Sequence, residues 1–258
     1  MKAGISTGCF YPMEPEKAIL EISRTQAQNI EIFFNCEYEI SKKYLKNLKI
    51  LIDNCGLKVV SIHPYTSGYE PYLLFSNYKR RTEETIKKYC RYFDACNILG
   101  AKIVNLHGDR LNKKLLSTEE YCEVYYNLRC KGKKQNVILS QENVNLYKSS
   151  QPEFISEMRK ILNDDVNFTF DVKQAIRADI DIYKMIDAMG EKICNVHISD
   201  NKDNKCVLPG KGSLDYKKIF ENINKYNYDG EVLLEVYSDC FKKIYDINCS
   251  INYLNSFF

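Results

Sequence analysis

Eight short apolar runs punctuate this chain, and helical patterning fills the stretches between them. The runs are AGIST (3–7), IEIFF (30–34), LKVVSIH (57–63), AKIVNLH (101–107), NVILSQE (136–142), VNFTFD (166–171), KICNVHIS (192–199) and EVLLEVY (231–237). Helices are predicted over residues 14–26, 42–54, 78–99, 152–162, 180–189, 216–225 and 241–258. Another runs from Thr118 towards Leu128, with Thr118 as its cap and KGKKQ as the turn beyond it. Gly56, Gly100 and Gly190 stop three of them. Strands separated by helices imply a parallel sheet with crossovers. Eight such units in 258 residues have the size of a closed (β/α)₈ barrel, and no composition shift marks a linker, so residues 1–258 read as one barrel domain. The alternative is a doubly wound open sheet. It would need a glycine-rich fingerprint after an early strand, whereas Gly210-x-Gly212 leads from a loop into a late helix.

Six of the runs carry an ionisable residue at or within two residues of their end: His63, His107, Glu142, Asp171, His197 and Glu235. The chain has three histidines, and all three take this position. Strand side chains alternate faces, so each terminal residue shares a face with the residue two before it. Those partners are Ser61, Asn105, Ser140, Thr169, Asn195 and Leu233. The opposite parity carries Val60 and Ile62, Val104 and Leu106, Phe168 and Phe170, and Val196 and Ile198. A greasy face packs helices and a small or polar face lines the lumen. The six ionisable groups therefore converge at the carboxyl-terminal mouth, where barrel active sites sit.

Carboxylates this close raise each other's pKa values unless a cation lies among them. Glu142, Asp171, His197 and Glu235 form an oxygen-rich set with one imidazole, suited to Mn²⁺, Mg²⁺, Co²⁺ or Zn²⁺ without choosing among them. His63 and His107 complete a second, more zinc-like site sharing Glu142, or else serve the substrate. Taken singly, Asp171 reads as a helix cap and His63, before Pro64, as a loop residue. Their common register is what favours a metal site.

Composition narrows the partners. A formal net charge of +3, from 37 basic and 34 acidic residues, lacks the broad positive field of a nucleic-acid binder. Lys79-Arg80-Arg81 and Lys131 to Lys134 read as solvated clusters. The eleven cysteines are odd in number, lack a CxxC pair and lie mostly in apolar patterns, so they read as small buried hydrophobes in a reducing cytoplasm. The sequence shows no signal-peptide pattern and no stretch of 18 apolar residues, and no membrane partner is expected.

With these residues in view, the chain resembles the xylose-isomerase-like (β/α)₈ superfamily, which holds sugar isomerases and epimerases and the metal-dependent apurinic/apyrimidinic endonucleases. The resemblance rests on Glu142-Asn143, FTFDVKQA around Asp171, NVHISDN with His197, LPGKGSLDY at 208–216, and YDGEVLLE ending at Glu235. It implies one divalent ion on Glu142, Asp171, His197 and Glu235, with the two glutamates also acting as acid and base. It further implies that the 208–216 stretch frames the substrate mouth. The chain departs from the endonucleases at Gln174, where many members carry histidine, and in SDNKDNKCVLPG, which lacks the histidine of a third metal site.

Three functions follow as expectations. The first is a metal-dependent isomerase or epimerase of a sugar or sugar phosphate, moving a proton through an enediolate with Glu142 and Glu235. The second is an endonuclease-like phosphodiesterase, with Lys113-Lys114 and Lys131 to Lys134 as phosphate contacts. The third is a noncatalytic metal-binding barrel. Around the mouth, Phe10, Glu31, Tyr65, Gln174, Lys202 and Lys205 are candidate substrate contacts, with Cys9 and Phe33 nearby. Glu31 shares a face with Phe33, so its carboxylate is expected to meet a sugar hydroxyl.

Overall fold

The computed structural model describes residues 1–112 and 115–258. Eight parallel strands close a barrel: β1 (Ala3–Ser6), β2 (Asn29–Phe33), β3 (Lys58–His63), β4 (Ile103–Leu106), β5 (Ile138–Glu142), β6 (Phe168–Asp171), β7 (Ile193–Ile198) and, after a small hairpin, β10 (Val232–Leu234). Each pairs with its neighbour in chain order, and β10 closes the ring between β7 and β1. The main helices are α1 (Pro15–Ile22), α2 (Lys42–Asn54), α4 (Lys79–Leu99), α5 (Thr118–Lys134), α6 (Pro152–Ile161), α8 (Ile182–Met189), α9 (Tyr216–Asn224) and α10 (Ile244–Asn255). Three pieces stand between them: α3 (Glu70–Leu73), α7 (Val172–Arg177) and the antiparallel hairpin of β8 (Asp200–Lys202) with β9 (Lys205–Val207). The expected barrel is present, and the open-sheet alternative is excluded by closure.

Parity explains the interior. Ile32, Ile62, Val104, Leu106, Phe170 and Val196 are buried on the outward face of the strands, under the helices. The lumen instead holds a connected polar layer. Ser140 Oγ lies 2.7 Å from Thr169 Oγ1, Thr169 donates to Asn105 Oδ1 at 2.7 Å, and Asn105 Nδ2 donates to Glu31 Oε2 at 2.7 Å. Small hydroxyls and amides fill a narrow barrel and satisfy one another along this chain, which limits the cost of burying them.

Several boundaries differ from the sequence reading. Helix α5 runs through KGKK to Lys134 and is capped by Ser117 in a capping box with Glu120, not by Thr118. Its last turn carries Lys131, Lys133 and Lys134, which complement the helix dipole. The helix passes through Gly132, where the absence of a side chain permits close approach to Val137, since a Cβ there would meet Val137 O at 2.9 Å. This helix end leads into the start of β5, at the barrel end opposite the mouth. Lys131 to Lys134 therefore cannot contact a substrate at the mouth, and Lys113 and Lys114 lie outside the described residues. The hairpin went unread although Asp203 (φ 53°) and Asn204 (φ 59°) form the paired left-handed turn such hairpins favour.

The segment after β3 is held by a buried acid. Glu70 is fully buried, accepts a hydrogen bond from the Tyr89 hydroxyl of α4, and accepts one from the Gly108 amide at 2.6 Å. Gly108 has φ 95°, and a Cβ on it would meet Tyr121 Oη, so glycine is required directly after His107. Burial pushes the Glu70 carboxyl from 4.5 up to about 8. The folded state thus holds a proton that the unfolded chain releases. That contribution is full below the ordinary carboxylate pKa and is lost as pH rises through about 8. Glu70→Gln copies the protonated form, so its melting temperature relative to wild type should rise with pH, by roughly 10 °C between pH 5 and 9. A pH-independent difference in thermal scans would show that Glu70 is ionised in the fold.

Candidate metal centre

Four of the six strand-end residues meet at one point. Glu142 ends β5, Asp171 ends β6 beside His197 of β7 in register, and Glu235 follows β10 with its amide bonded to Ile198 O at 2.9 Å. One ligand atom from each lies within 4.8 Å of the others. His197 Nδ1 stands 3.2 Å from Glu235 Oε2, 3.8 Å from Glu142 Oε1 and 4.0 Å from Asp171 Oδ2. Glu142 Oε2, Asp171 Oδ2 and His197 Nδ1 are buried and make no hydrogen bond among the described residues. Glu142 turns Oε1 toward His197 and Oε2 toward His63 and His107, and the unsatisfied Asp171 Oδ2 and His197 Nδ1 stand 4.0 Å apart, a pair of ligand atoms that a divalent cation would satisfy.

The surrounding structure fixes these atoms. Asp171 Oδ1 accepts from Gln174 N at 2.9 Å and caps α7, which leaves Oδ2 for the centre. Asp171 is therefore both cap and candidate ligand. Asn143 clamps its backbone, donating to Asp171 O at 2.8 Å and accepting from Asp171 N at 2.7 Å. Glu31 Oε2 lies 3.0 Å from His197 Nε2. With Nε2–H donating to Glu31, the imidazole presents Nδ1 to the centre, as outer carboxylates commonly arrange for metal-binding histidines. Glu31 is wholly buried and also accepts from Ser6, Ser61 and Asn105, so it orients His197 and does not reach a sugar as expected.

Burial would raise every carboxyl here, yet the imidazoles of His107, His197 and His63 hold Glu142 well below its usual range. For Glu235, burial is outweighed by Lys173 and His197. Asp171 goes the other way: burial and the charges of Glu235 and Glu142 raise it despite Lys173. This is the like-charge crowding expected of the cluster.

His63 and His107 form a second group. Their Nε2 atoms are 2.9 Å apart, and each stands 3.4 Å from Glu142 Oε2. The Ser67 hydroxyl donates to Pro64 O at 2.5 Å, so His63 Nδ1, 3.2 Å from Ser67 Oγ, is the donor in the neutral ring. That leaves His63 Nε2 with a lone pair facing His107. Phe33 stacks on the His63 ring at 4.3 Å between centroids.

The remaining candidates scatter. Phe10 is buried edge-on against Phe241. The Tyr65 hydroxyl donates to Glu37, within a cluster that includes Lys88 and Arg91. Gln174 Oε1 accepts from Asn145 N at 3.2 Å and so ties two mouth loops together. Lys205 lines a cavity beside the centre, whereas Lys202 lies across the hairpin from it, outside that lining. Cys9 is buried, accepts from Val236 N at 3.4 Å, and burial pushes its thiol up to about 12, so it braces the chain beside Glu235 and is no nucleophile. The sequence reading passed over Lys173. Its ammonium is 3.0 Å from Glu235 Oε2 and 3.6 Å from Asp171 Oδ2, with 6% side-chain exposure. The signal was present, since a lysine two residues past a strand-end acid stands in the first turn of the capped helix.

Glu31→Gln keeps an acceptor for His197 and can place its amide nitrogen toward Ser6 Oγ, 3.0 Å from Glu31 Oε1. The variant should fold and lose roughly 10- to 100-fold in divalent-metal affinity. Metal titration monitored by calorimetry measures this, and unchanged affinity would remove Glu31 from the support of His197.

Known proteins share this architecture. A D-tagatose 3-epimerase-like protein superposes with a TM-score of 0.81 at 18% identity, over 100% of this chain and 97% of that one. The 3-keto-D-glucoside 4-epimerase of E. coli superposes with a TM-score of 0.76 at 19% identity, over 99% of each chain. Inosose dehydratase of Histophilus somni (strain 129Pt) is 23% identical over 238 residues, 78% of this chain and 78% of that protein. The family model described as xylose isomerase-like TIM barrel matches residues 21–256. Closed barrel, strand-end constellation and this match together make the chain a member of the xylose isomerase-like TIM barrel family.

Proposed function

We propose that the protein is a divalent-metal-dependent isomerase or epimerase of a sugar or sugar derivative, moving a proton on the carbon beside a carbonyl. The observation that carries this is the cluster of Glu142, Asp171, His197 and Glu235, one ligand atom of each within 4.8 Å of the others, with Asp171 Oδ2 and His197 Nδ1 buried and unsatisfied. Glu142, Asp171, His197 and Glu235 would hold Mn²⁺, Mg²⁺, Co²⁺ or Zn²⁺, and the ion would polarise the carbonyl and steady the negative charge that develops on its oxygen. Glu142 and Glu235 approach the substrate from strands separated by β6 and β7, one removing the proton and the other returning it. Lys173 holds the Glu235 carboxylate in place through its 3.0 Å contact with Oε2. His107, whose side chain is 18% exposed, is the imidazole of the pair that a substrate hydroxyl can reach. The names of the similar proteins, an epimerase and an epimerase-like protein among them, agree with this reading. Among the described residues no helix is long and apolar enough to cross a membrane; it is the free thiols that support a reducing cytoplasm as the place of the reaction.

One observation favours a second reading. The His63, His107 and Glu142 group could hold another ion, and two-ion clamps serve phosphodiester cleavage. The 2.9 Å approach of the two imidazoles lets them satisfy each other, however, which supports one ion per chain. With Mn²⁺ and a panel of ketoses and aldoses in deuterated water, the protein should wash deuterium into the carbon next to the carbonyl. Glu235→Gln should lower that exchange by about 100-fold or more while elemental analysis still finds metal. Two tightly bound ions, no exchange and nicking of DNA at abasic sites would overturn the proposal in favour of the nuclease.

A further inference from the structure

A cavity of about 520 Å³ opens directly beside the metal centre. That is within the range of small-molecule sites, about 300–1,000 Å³. Its walls come from α7, the β8–β9 hairpin and the loop after β10, and it shares Lys173 with the centre. The three cations of the lining are unequal. Lys173 is committed to Glu235 and Asp171. Arg177, one helical turn further along α7, donates to the Tyr237 hydroxyl at 2.7 Å, and neither it nor Lys205 forms an ion pair among the described residues. Of the two acids in the lining, Asp200 is buried and spends its carboxylate on the amides of Asn201, Gly210, Gly212 and Leu214. The lining thus holds three cations against two acids, and Arg177 and Lys205 are the two of those cations with no paired carboxylate among the described residues.

We infer that this cavity is a subsite for an anionic group on the substrate, a phosphate or a carboxylate, bound by Arg177 and Lys205 with the Tyr237 hydroxyl beside them. The inference rests on the isomerase or epimerase reading for what lies at the other end of the molecule. Tyr237 sets the spacing. It follows Glu235 by two residues, and its ring lies 5.2 Å from the Lys173 ammonium while its hydroxyl meets Arg177. A substrate whose carbonyl sits at the centre would extend along this ring, with its charged end at Arg177. The guanidinium can meet either oxyanion through two parallel N–H bonds, which an ammonium cannot match. The LPGKGSLDY stretch enters through Asp200, whose bonds to the Gly210 and Gly212 amides anchor that loop behind the hairpin. Gly212 is required there, since a Cβ would lie 2.2 Å from Asp200 Oδ1.

The test compares matched sets of ketoses: neutral, terminally phosphorylated, and oxidised to a terminal carboxylate. With Mn²⁺-loaded protein, the phosphate or the carboxylate member should show a kcat/KM for deuterium exchange about tenfold to a hundredfold above the neutral sugar. Arg177→Ala should remove that advantage through KM, raising KM for the anionic sugar about tenfold or more beyond any change for the neutral one, and Arg177→Lys should restore part of it. The phosphate and carboxylate arms tell the two anions apart. Calorimetric titration of Mg²⁺-loaded protein with inorganic phosphate supplies a readout without turnover, and binding should weaken in Arg177→Ala. Phosphate binding through Arg177 with no exchange on any sugar would keep the subsite and overturn the reaction class. Efficient exchange on neutral sugars, with no anionic preference and no phosphate binding, would keep the reaction and overturn the subsite.

Discussion

Glu31 is the point from which the interior of this barrel is organised. Its two oxygens accept from Ser6 on β1, Ser61 on β3, Asn105 on β4 and His197 on β7, so one carboxylate on β2 joins five strands. A buried charge is tolerated only when such donors surround it, and removing one partner of such a pair costs about 3–5 kcal/mol. The polar layer above depends on it as well, because Asn105 passes the orientation on to Thr169 and Ser140. The imidazole of His197 faces the mouth in a single sense for the same reason. Fold and site therefore have a common origin.

Much of this was legible in the residues alone. Period-two alternation in NVHIS and VNFTFD put the terminal ionisable groups on the lumen side, and the strand register places Asp171 beside His197. The barrel followed from the count of strands and the helices between them. These inferences held because they rest on the backbone, where parity admits two answers and the apolar face selects one.

What escaped the sequence depends on distances across the barrel. Glu31 and His197 are 166 residues apart, and no local pattern says that a lumen carboxylate will bond an imidazole instead of a ligand. Lys173 was overlooked because a lysine on a helix ordinarily reaches solvent, whereas here the mouth wall covers it. The hairpin was missed for another reason: strands of three residues, Asp-Asn-Lys and Lys-Cys-Val, are too short to show an apolar alternation. Helix α5 outran its expected end because Gly132 reads locally as a breaker but serves a close approach to Val137.

The ammonium of Lys173 has a consequence for the life history of the protein. Three carboxylates facing one another would ordinarily tie folding to cation uptake, as in small domains that collapse only around their metal. Here the chain carries its own counter-ion, covalently attached and already seated between Asp171 and Glu235. Closure of the barrel is then not tied by these carboxylates to the arrival of a cation, and an ion entering the cluster would meet acids that this lysine has already partly neutralised.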